Sequence, residues 1–333
     1  MSEQMAFVPN EQAVLRAALR QDFGTFIPAA FLTVAPAKKY FPNWHIDAVA
    51  YRLTSVYRGK IRRLIINQPP RSLKSICSSV AFVAWWIGHN PGMRFACVSY
   101  SNEVAATFSR QFRLVVTSAL YRTLFPNVHF SKLTETECET TMGGGRFAVP
   151  IGGSFTGRGA DVIIIDDPLN SEEAQSEKAL RSVTDWYATT LLSRLDNKQK
   201  GVIILVAQRL HESDLAGTLL LEGDWDHLNL PAIAERDEKI PIGPGVFHER
   251  KIGDALHPEF EPLETLETQR KKMGSLRFSA QYQQRPVPAE GNLIKRAWIK
   301  NYDSTPIRQP ATNPYGSGTR ADSPRGPTTT SKR

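Results

Sequence analysis

Apolar residues in this chain come in short, nearly unbroken runs separated by longer stretches of helical spacing. Residues 11–20 place Val14, Leu15, Ala18 and Leu19 on one face and predict a short helix. Residues 44–58 predict a second helix, stopped at Arg58-Gly59. The run Arg62-Arg63-Leu64-Ile65-Ile66-Asn67 predicts a buried strand, and residues 74–88 a strongly apolar helix closed by Gly88-His89-Asn90-Pro91-Gly92. Residues 93–100 predict the next strand, and Ser101-Asn102-Glu103 opens a helix that runs to about Thr117. Residues 138–151, with Gly143-Gly144-Gly145 at the centre, predict a hairpin. The β-branched run Val162 to Ile165 predicts a strand that ends in Asp166-Asp167-Pro168. Residues 171–196 read as helix in two pieces, and Val202 to Ala207 as another buried strand. Strands apolar at every position are covered on both faces, so the pattern predicts an α/β fold with a mostly parallel sheet and helices on both sides. Beyond about residue 231 the chain reads as Pro-rich loop, then as helix over 262–284. No repeat is visible.

This order predicts four segments: a helical lead-in over 1–60, an α/β core over 61–260, a helical C-terminal subdomain or linker over 261–303, and a tail over 304–333. The tail carries Arg308, Arg320, Arg325, Lys332 and Arg333 against Asp322 alone, and from the apolar set only Ile307, Ala311, Tyr315 and Ala321. Such a segment cannot bury enough surface to offset its ordering entropy, and disorder is expected.

Composition narrows the picture further. The chain has 333 residues, 41% of them hydrophobic, which suffices for a sizeable core without disulfides. Cys77, Cys97 and Cys138 lie far apart with no C-x-x-C pair, which argues against a zinc site and fits a reducing compartment. The longest apolar run, Val80 to Ile87, is too short to span a bilayer, and the first residues lack a signal-peptide pattern. The net charge of +8 favours a polyanionic partner, but half of it sits in the tail, so the body is only mildly basic.

Three stretches carry candidate chemistry. Gln68-Pro69-Pro70-Arg71-Ser72-Leu73-Lys74-Ser75 lies between a predicted strand and a predicted helix, where backbone N–H groups and the helix N-terminus can cradle a polyphosphate. Lys74 would meet the β- and γ-phosphates and the Ser75 hydroxyl would ligate Mg²⁺. Gln68 and Leu73 stand where the usual pattern has glycines, and a helix that simply begins with a solvated lysine reads the same way. The strand Val162 to Ile165 delivers Asp166, suited to holding Mg²⁺, and Asp167, suited to activating a water. Asp-Asp-Pro is also ordinary turn and cap chemistry. The strand Val202 to Ala207 ends in Gln208-Arg209-Leu210-His211-Glu212-Ser213-Asp214, so Gln208 can reach the same crevice, or belong to a polar loop. A lysine–serine loop and an acidic strand in this order favour nucleotide hydrolysis over coincidence.

Four stretches taken together resemble the large terminase subunit of tailed bacteriophages: residues 68–75; Gly-Ser-Phe-Thr-Gly-Arg-Gly-Ala-Asp (153–161) running into Ile-Ile-Ile-Asp-Asp-Pro (163–168); Gln-Arg-Leu-His-Glu-Ser-Asp-Leu-Ala-Gly (208–217); and Phe-Ser-Ala-Gln-Tyr-Gln-Gln-Arg-Pro-Val-Pro (278–288). The resemblance covers about residues 40–303. It implies a P-loop NTPase of the additional-strand catalytic-glutamate type, an ATPase that uses ATP and Mg²⁺ to move double-stranded DNA into a procapsid. By the same resemblance Lys74 and Ser75 match the phosphate-loop lysine and its Mg²⁺ hydroxyl. Arg71 matches a loop arginine, Asp166 the metal-holding aspartate, and Gln208 the motif that couples hydrolysis to movement. The catalytic base, often a Glu in relatives, is Asp167 here, with Glu172 and Glu173 as further candidates. Arg158, between Gly157 and Gly159, matches an arginine finger acting in cis or from a neighbour, or is a loop arginine paired with a local acid. Tyr40, Trp44 and His45 fall where relatives place residues near the adenine, or form a core staple.

The resemblance also implies partners: DNA, the portal of the procapsid, a small terminase subunit, and further copies in a homo-oligomeric ring, in the cytoplasm of a bacterial host and with no membrane. It implies a nuclease domain after the Tyr-Gln-Gln-Arg-Pro segment, whereas residues 304–333 hold one carboxylate. An ATPase without its nuclease is therefore expected, either a working motor or a truncated or frameshifted remnant; another P-loop DNA translocase is the alternative. For DNA contact, Arg58, Lys60, Arg62 and Arg63, or Arg270, Lys271 and Lys272, are candidates, though each also reads as a solvated flank.

Overall fold

The computed structural model describes residues 10–153, 155 and 157–287. The expected tail 304–333, and the part of the expected C-terminal subdomain after residue 287, lie outside the described residues.

Three helices lead in: α1 (Glu11–Gln21), α2 (Phe23–Val34) and α3 (Trp44–Tyr57). Strand β1 (Arg63–Asn67) then runs through the phosphate-loop segment into a π-helical stretch, Ile76–Phe82, which continues as α4 (Val83–His89). There follow β2 (Arg94–Ser99), α5 (Asn102–Thr117), α6 (Ala119–Leu124), β3 (Phe130–Leu133), β4 (Glu137–Thr140), β5 (Gly145–Pro150) and β6 (Val162–Asp166). Then come α7 (Glu177–Trp186), β7 (Val202–Ala207), α8 (Leu215–Glu222), β8 (Asp226–Asn229), the strands β9 (Glu238–Gly243) and β10 (Val246–Arg250), and the helices α9 (Leu263–Met273) and α10 (Ser275–Gln281).

Eight strands form one sheet in the order β3-β4-β5-β2-β6-β7-β1-β8. From β5 to β8 every pairing is parallel; β3 and β4 add an antiparallel edge. Alternation along the strands explains why they read as unbroken apolar runs. Leu64, Ile66, Phe95, Val162, Ile164, Ile204 and Val206 face one apolar layer, shared with residues of α1 to α5. Ile65, Ala96, Val98, Ile163, Ile165, Ile203 and Leu205 face the other, shared with α7 and α8. Strands β1, β2, β6 and β7 thus each serve two cores, and none of them leaves a position for a polar residue except at its ends.

Several elements differ from the pattern's prediction. Val14 and Leu15 are exposed, and α1 is anchored mainly by Leu19. Helix α2 contains Gly24 and Pro28, which interrupt the helical pattern; it forms because Asp22 caps it by accepting from the Thr25 N–H (2.7 Å) and because Phe23, Phe26, Ile27, Ala30 and Phe31 are buried. The segment expected to be loop beyond 231 holds an antiparallel pair, β9–β10, whose Pro241, Gly243 and Gly245 disguise it. The helix expected over 262–284 is two helices, broken at Gly274, whose φ of 84° belongs to the left-handed region.

Candidate active site

Parallel strands bring their C-terminal ends to one edge. Asn67 pairs with Ala207, and Asp166 with Val206, so the loops after β1, β6 and β7 meet there. This is the edge at which the sequence motifs end.

Segment 68–75 takes up left-handed backbone at two positions that are not glycine. Arg71 and Leu73 have φ values of 62° and 61°. A left-handed residue with a side chain costs about 1–2 kcal/mol; Leu73 offsets part of this by packing against the core of the α1–α5 layer. Among the described residues, no hydrogen bond takes up the backbone N–H of Arg71, Ser72 or Leu73, the donors an anion would need. Ser72 fixes the loop by donating to Pro69 O (2.8 Å).

Lys74 is almost wholly buried, and its Nζ lies 3.0 Å from Asp167 Oδ2. The Ser75 hydroxyl donates to Asp166 Oδ1 (2.8 Å), and the Ser79 hydroxyl donates to Asp166 Oδ2 (2.6 Å). Asp167 has a φ of 44°, and its other oxygen accepts from the Gln208 N–H (3.0 Å). Three segments far apart in sequence are thus tied through two adjacent carboxylates. Burial, followed by the charge of Asp167, pushes the Asp166 carboxyl well above the usual carboxylate range; the hydrogen bond from Ser79, the Lys74 charge and the bond from Ser75 oppose the shift. Two neighbouring acids in unequal environments suit unequal roles.

Two orphaned polar atoms also line this region. The Gln68 side-chain Nε2 and the Gln208 Oε1 are buried with no hydrogen-bond partner, one a donor and one an acceptor. A hard cation fits the oxygens of Ser75 and Asp166. Among the described residues there is no group of three or more His, Cys, Asp or Glu that could hold a metal ion. Glu172 and Glu173 lie on an exposed turn, their N–H groups capped by Asn170, with no bond to the cluster.

Of the three residues expected beside an adenine, His45 alone touches the loop. Its Nε2 lies 3.3 Å from Ser72 O, and its ring packs 5.1 Å from that of His257. Burial holds its pKa down at about 3. With Pro69, Pro70, Arg71, His257 and Phe260 it lines a small pocket on the flank of the loop. Trp44 instead stacks on His248 of β10 (4.3 Å), and Tyr40 packs on Phe31 (5.4 Å).

Arg158 is placed elsewhere. It pairs with Glu137 Oε1 (2.9 Å) on β4, and its guanidinium lies over Phe147 of β5. Strand β4 is five positions from β1 in the sheet, about 24 Å at ordinary strand spacing. A finger acting in cis is therefore not formed in this arrangement; within its own chain Arg158 is a loop arginine paired with a local acid.

Behind Gln208 lies a buried knot. Arg209 Nε binds both oxygens of Asp214 (2.9 and 3.0 Å). Asp214 in turn caps α8 by accepting from the Gly217 N–H (2.8 Å) and holds the Leu210 N–H (2.9 Å). A Cβ on Gly217 would lie 1.9 Å from Glu212 O, so the tight turn requires glycine. The Arg209 N–H donates to the side chain of Gln284 (2.9 Å), while Gln283 exchanges two hydrogen bonds of 2.9 Å with the backbone of Ile233. The Tyr-Gln-Gln-Arg segment after α10 thus fastens to the loops after β7 and β8. Sequence reasoning passed over Ser79, Gln283 and Gln284. Ser79 had one signal, its spacing of four from Ser75; the glutamines had none beyond their place in a motif.

Strand β7 stands between the phosphate-loop strand β1 and the acidic strand β6. The chain is thus an α/β protein whose mostly parallel sheet brings a lysine–serine loop and paired carboxylates to one edge. No protein-family model and no curated protein sequence matches the chain. Solved structures similar to it include the large terminase ATPase domain of Thermus phage P74-26, with a TM-score of 0.49 and 12% identity over 77% of this chain and 98% of that one. The large terminase of bacteriophage HK97 gives a TM-score of 0.48 at 12% identity, over 79% of this chain and 55% of that one. The large terminase of another thermophilic bacteriophage, in complex with ADP, gives 0.40 at 11% identity, over 68% of this chain and 51% of that one. This chain therefore spans about half the length of the latter two. Among the described residues no helix is long and apolar enough to cross a membrane.

Proposed function

We propose that the chain is an ATP-hydrolysing motor of the kind that packages double-stranded DNA into a phage procapsid. The observation that carries this reading is the convergence of Lys74, Ser75, Asp166, Asp167 and Gln208 on one sheet edge, joined by hydrogen bonds and one ion pair. On binding a nucleotide, Lys74 exchanges Asp167 for phosphate oxygens, and the free N–H groups of residues 71–73 supply further donors. Ser75 and Asp166 would hold Mg²⁺, which would supply charge neutralisation at the phosphates. Release of Lys74 frees the Asp167 carboxylate to accept a proton from the attacking water, and the orphaned Gln208 Oε1 helps to orient that water. Arg71, exposed on the loop, faces the transferring phosphate. His45 and its pocket border the base. Arg158 serves the site of a neighbouring copy in an assembled ring, and the portal and a small terminase subunit complete the machine.

DNA contact falls to the opposite edge of the sheet, where β1 and β7 begin. Arg62 donates to Gln199 O, and Arg63 donates to Gly201 O (2.8 Å). These acceptors are neutral. Among the described residues, Arg58, Lys60, Arg62, Arg63, Lys198 and Lys200 form no ion pair, so their charge is uncompensated. The rival cluster on α9 is weaker, because Arg270 pairs with Glu267 and lies over Phe278.

The test is turnover. Purified chain is expected to hydrolyse ATP faster in the presence of linear double-stranded DNA, with Lys74→Ala and Asp166→Ala reducing the rate at least about 100-fold. Wild-type turnover no higher than the Lys74→Ala background would refute the proposal.

A further inference from the structure

We infer that Ser79 is a positioning residue for the metal-holding aspartate: it fixes one oxygen of Asp166 permanently, so that the other stays turned towards the Mg²⁺ position. The inference rests on the nucleotide-site reading above.

The two serines that hold Asp166 are not equivalent. Ser75 begins the helix, is only partly buried, and donates to Oδ1. Ser79 is sealed from solvent and donates to Oδ2 at 2.6 Å, the short distance of a charge-assisted bond. A hydroxyl that ligates a cation through its oxygen must give up its present orientation towards a carboxylate. Ser75 can do so without leaving Asp166 unsatisfied, provided Ser79 holds the other oxygen. Ser79 itself has no access to a ligand. One hydroxyl is therefore exchangeable and the other fixed.

The backbone is built for this division. Residues Ile76–Phe82 form a π-helical stretch, wider than an α-helix, directly after the loop. In an α-helix, residues four apart are offset by about 40° around the axis. Ser75 and Ser79, four residues apart, lie on one side of this helix and reach the two oxygens of a single carboxylate. Ser78, between them, turns away and donates to Lys74 O (2.7 Å).

The test is equilibrium binding of a fluorescent ATP analogue, methylanthraniloyl-ATP, titrated with Mg²⁺, on wild type, Ser79→Ala, Ser79→Thr and Ser75→Ala. For Ser79→Ala the Mg²⁺ concentration giving half-maximal enhancement of binding is expected to rise about tenfold or more, the worth of one hydrogen bond to a charged group. Its affinity without Mg²⁺ should stay within about twofold of wild type. Ser79→Thr, which restores the hydroxyl, should recover the wild-type Mg²⁺ requirement. If Ser79→Ala fails to fold, Ser79→Cys, of similar volume but a weak donor, is read in the same way. A lowered melting temperature with an unchanged Mg²⁺ requirement would overturn the inference and leave Ser79 as a purely structural partner. Absence of nucleotide binding by wild type would instead overturn the nucleotide-site reading, and this inference with it.

Discussion

Asp214 offers a sharp test of how the loop behind Gln208 is held. Its carboxylate caps α8, holds the Leu210 N–H and pairs with Arg209 Nε, and both side chains are nearly buried. Alanine removes all of this. Loss of the cap costs about 1 kcal/mol. Stranding a buried charge costs about 3–5 kcal/mol. Here Arg209 keeps two long bonds from Nη2, to His211 O and Glu212 O at 3.3 Å, so about 2–3 kcal/mol is the better figure for that part. Asp214→Ala should therefore lose about 3–4 kcal/mol, and Asp214→Asn, which keeps an acceptor for the cap, about 2–3 kcal/mol. Urea unfolding followed by circular dichroism measures both, with the dependence on urea unchanged between variants. An Asp214→Asn variant within about 0.5 kcal/mol of wild type would show that Arg209 needs no charged partner, and the reasoning would fail.

Gly217→Ala should break the same knot through its backbone, losing at least about 2 kcal/mol in the same unfolding assay, because its Cβ has no room beside Glu212 O. Acid should also destabilise the chain through buried imidazoles: burial holds His45 at about 3 and His227 at about 4, so both stay neutral in the fold while the unfolded chain takes up protons below its ordinary value of 6.5. Stability contributed by neutral His45 is complete above pH 6.5 and is lost as pH falls towards 3, whereas Asp166, whose carboxyl burial raises, works in the opposite sense. His45→Asn should remove one proton from the balance and flatten the slope of stability against pH between 6 and 4.5 by about 1.4 kcal/mol per unit, read from urea midpoints; an unchanged slope would count against the assignment. For the basic edge, replacing Lys198 and Lys200 by glutamine should lower the steepness with which DNA affinity falls with salt by about one per charge in fluorescence anisotropy, while Lys271→Gln leaves it unchanged.

Much of the α/β core was legible because each central strand is apolar at every position, a pattern that only a doubly covered sheet explains. Helix α2 escaped notice because Gly24 and Pro28 break its spacing, and its formation depends on burial among other helices. The pair β9–β10 escaped because its prolines and glycines are those of a loop. At the site, Lys74, Ser75, Asp166 and Asp167 could be named from order and residue type alone. Their present partners could not: the segment 68–75 shows no sign that Lys74 would rest on Asp167, or that Leu73 would adopt a glycine's φ.

By itself, then, the sequence determined which segments are central buried strands and which strand ends in acids, because these follow from local spacing and side-chain chemistry. Strand order belongs to the tertiary structure alone. Placing β7 between β1 and β6 set Gln208 beside Asp167, put Arg158 five strand positions from the loop on β1, and brought Ser79 onto Asp166 from 87 residues away. Such contacts depend on how whole faces of the sheet are covered, and residues close in sequence carry no record of them.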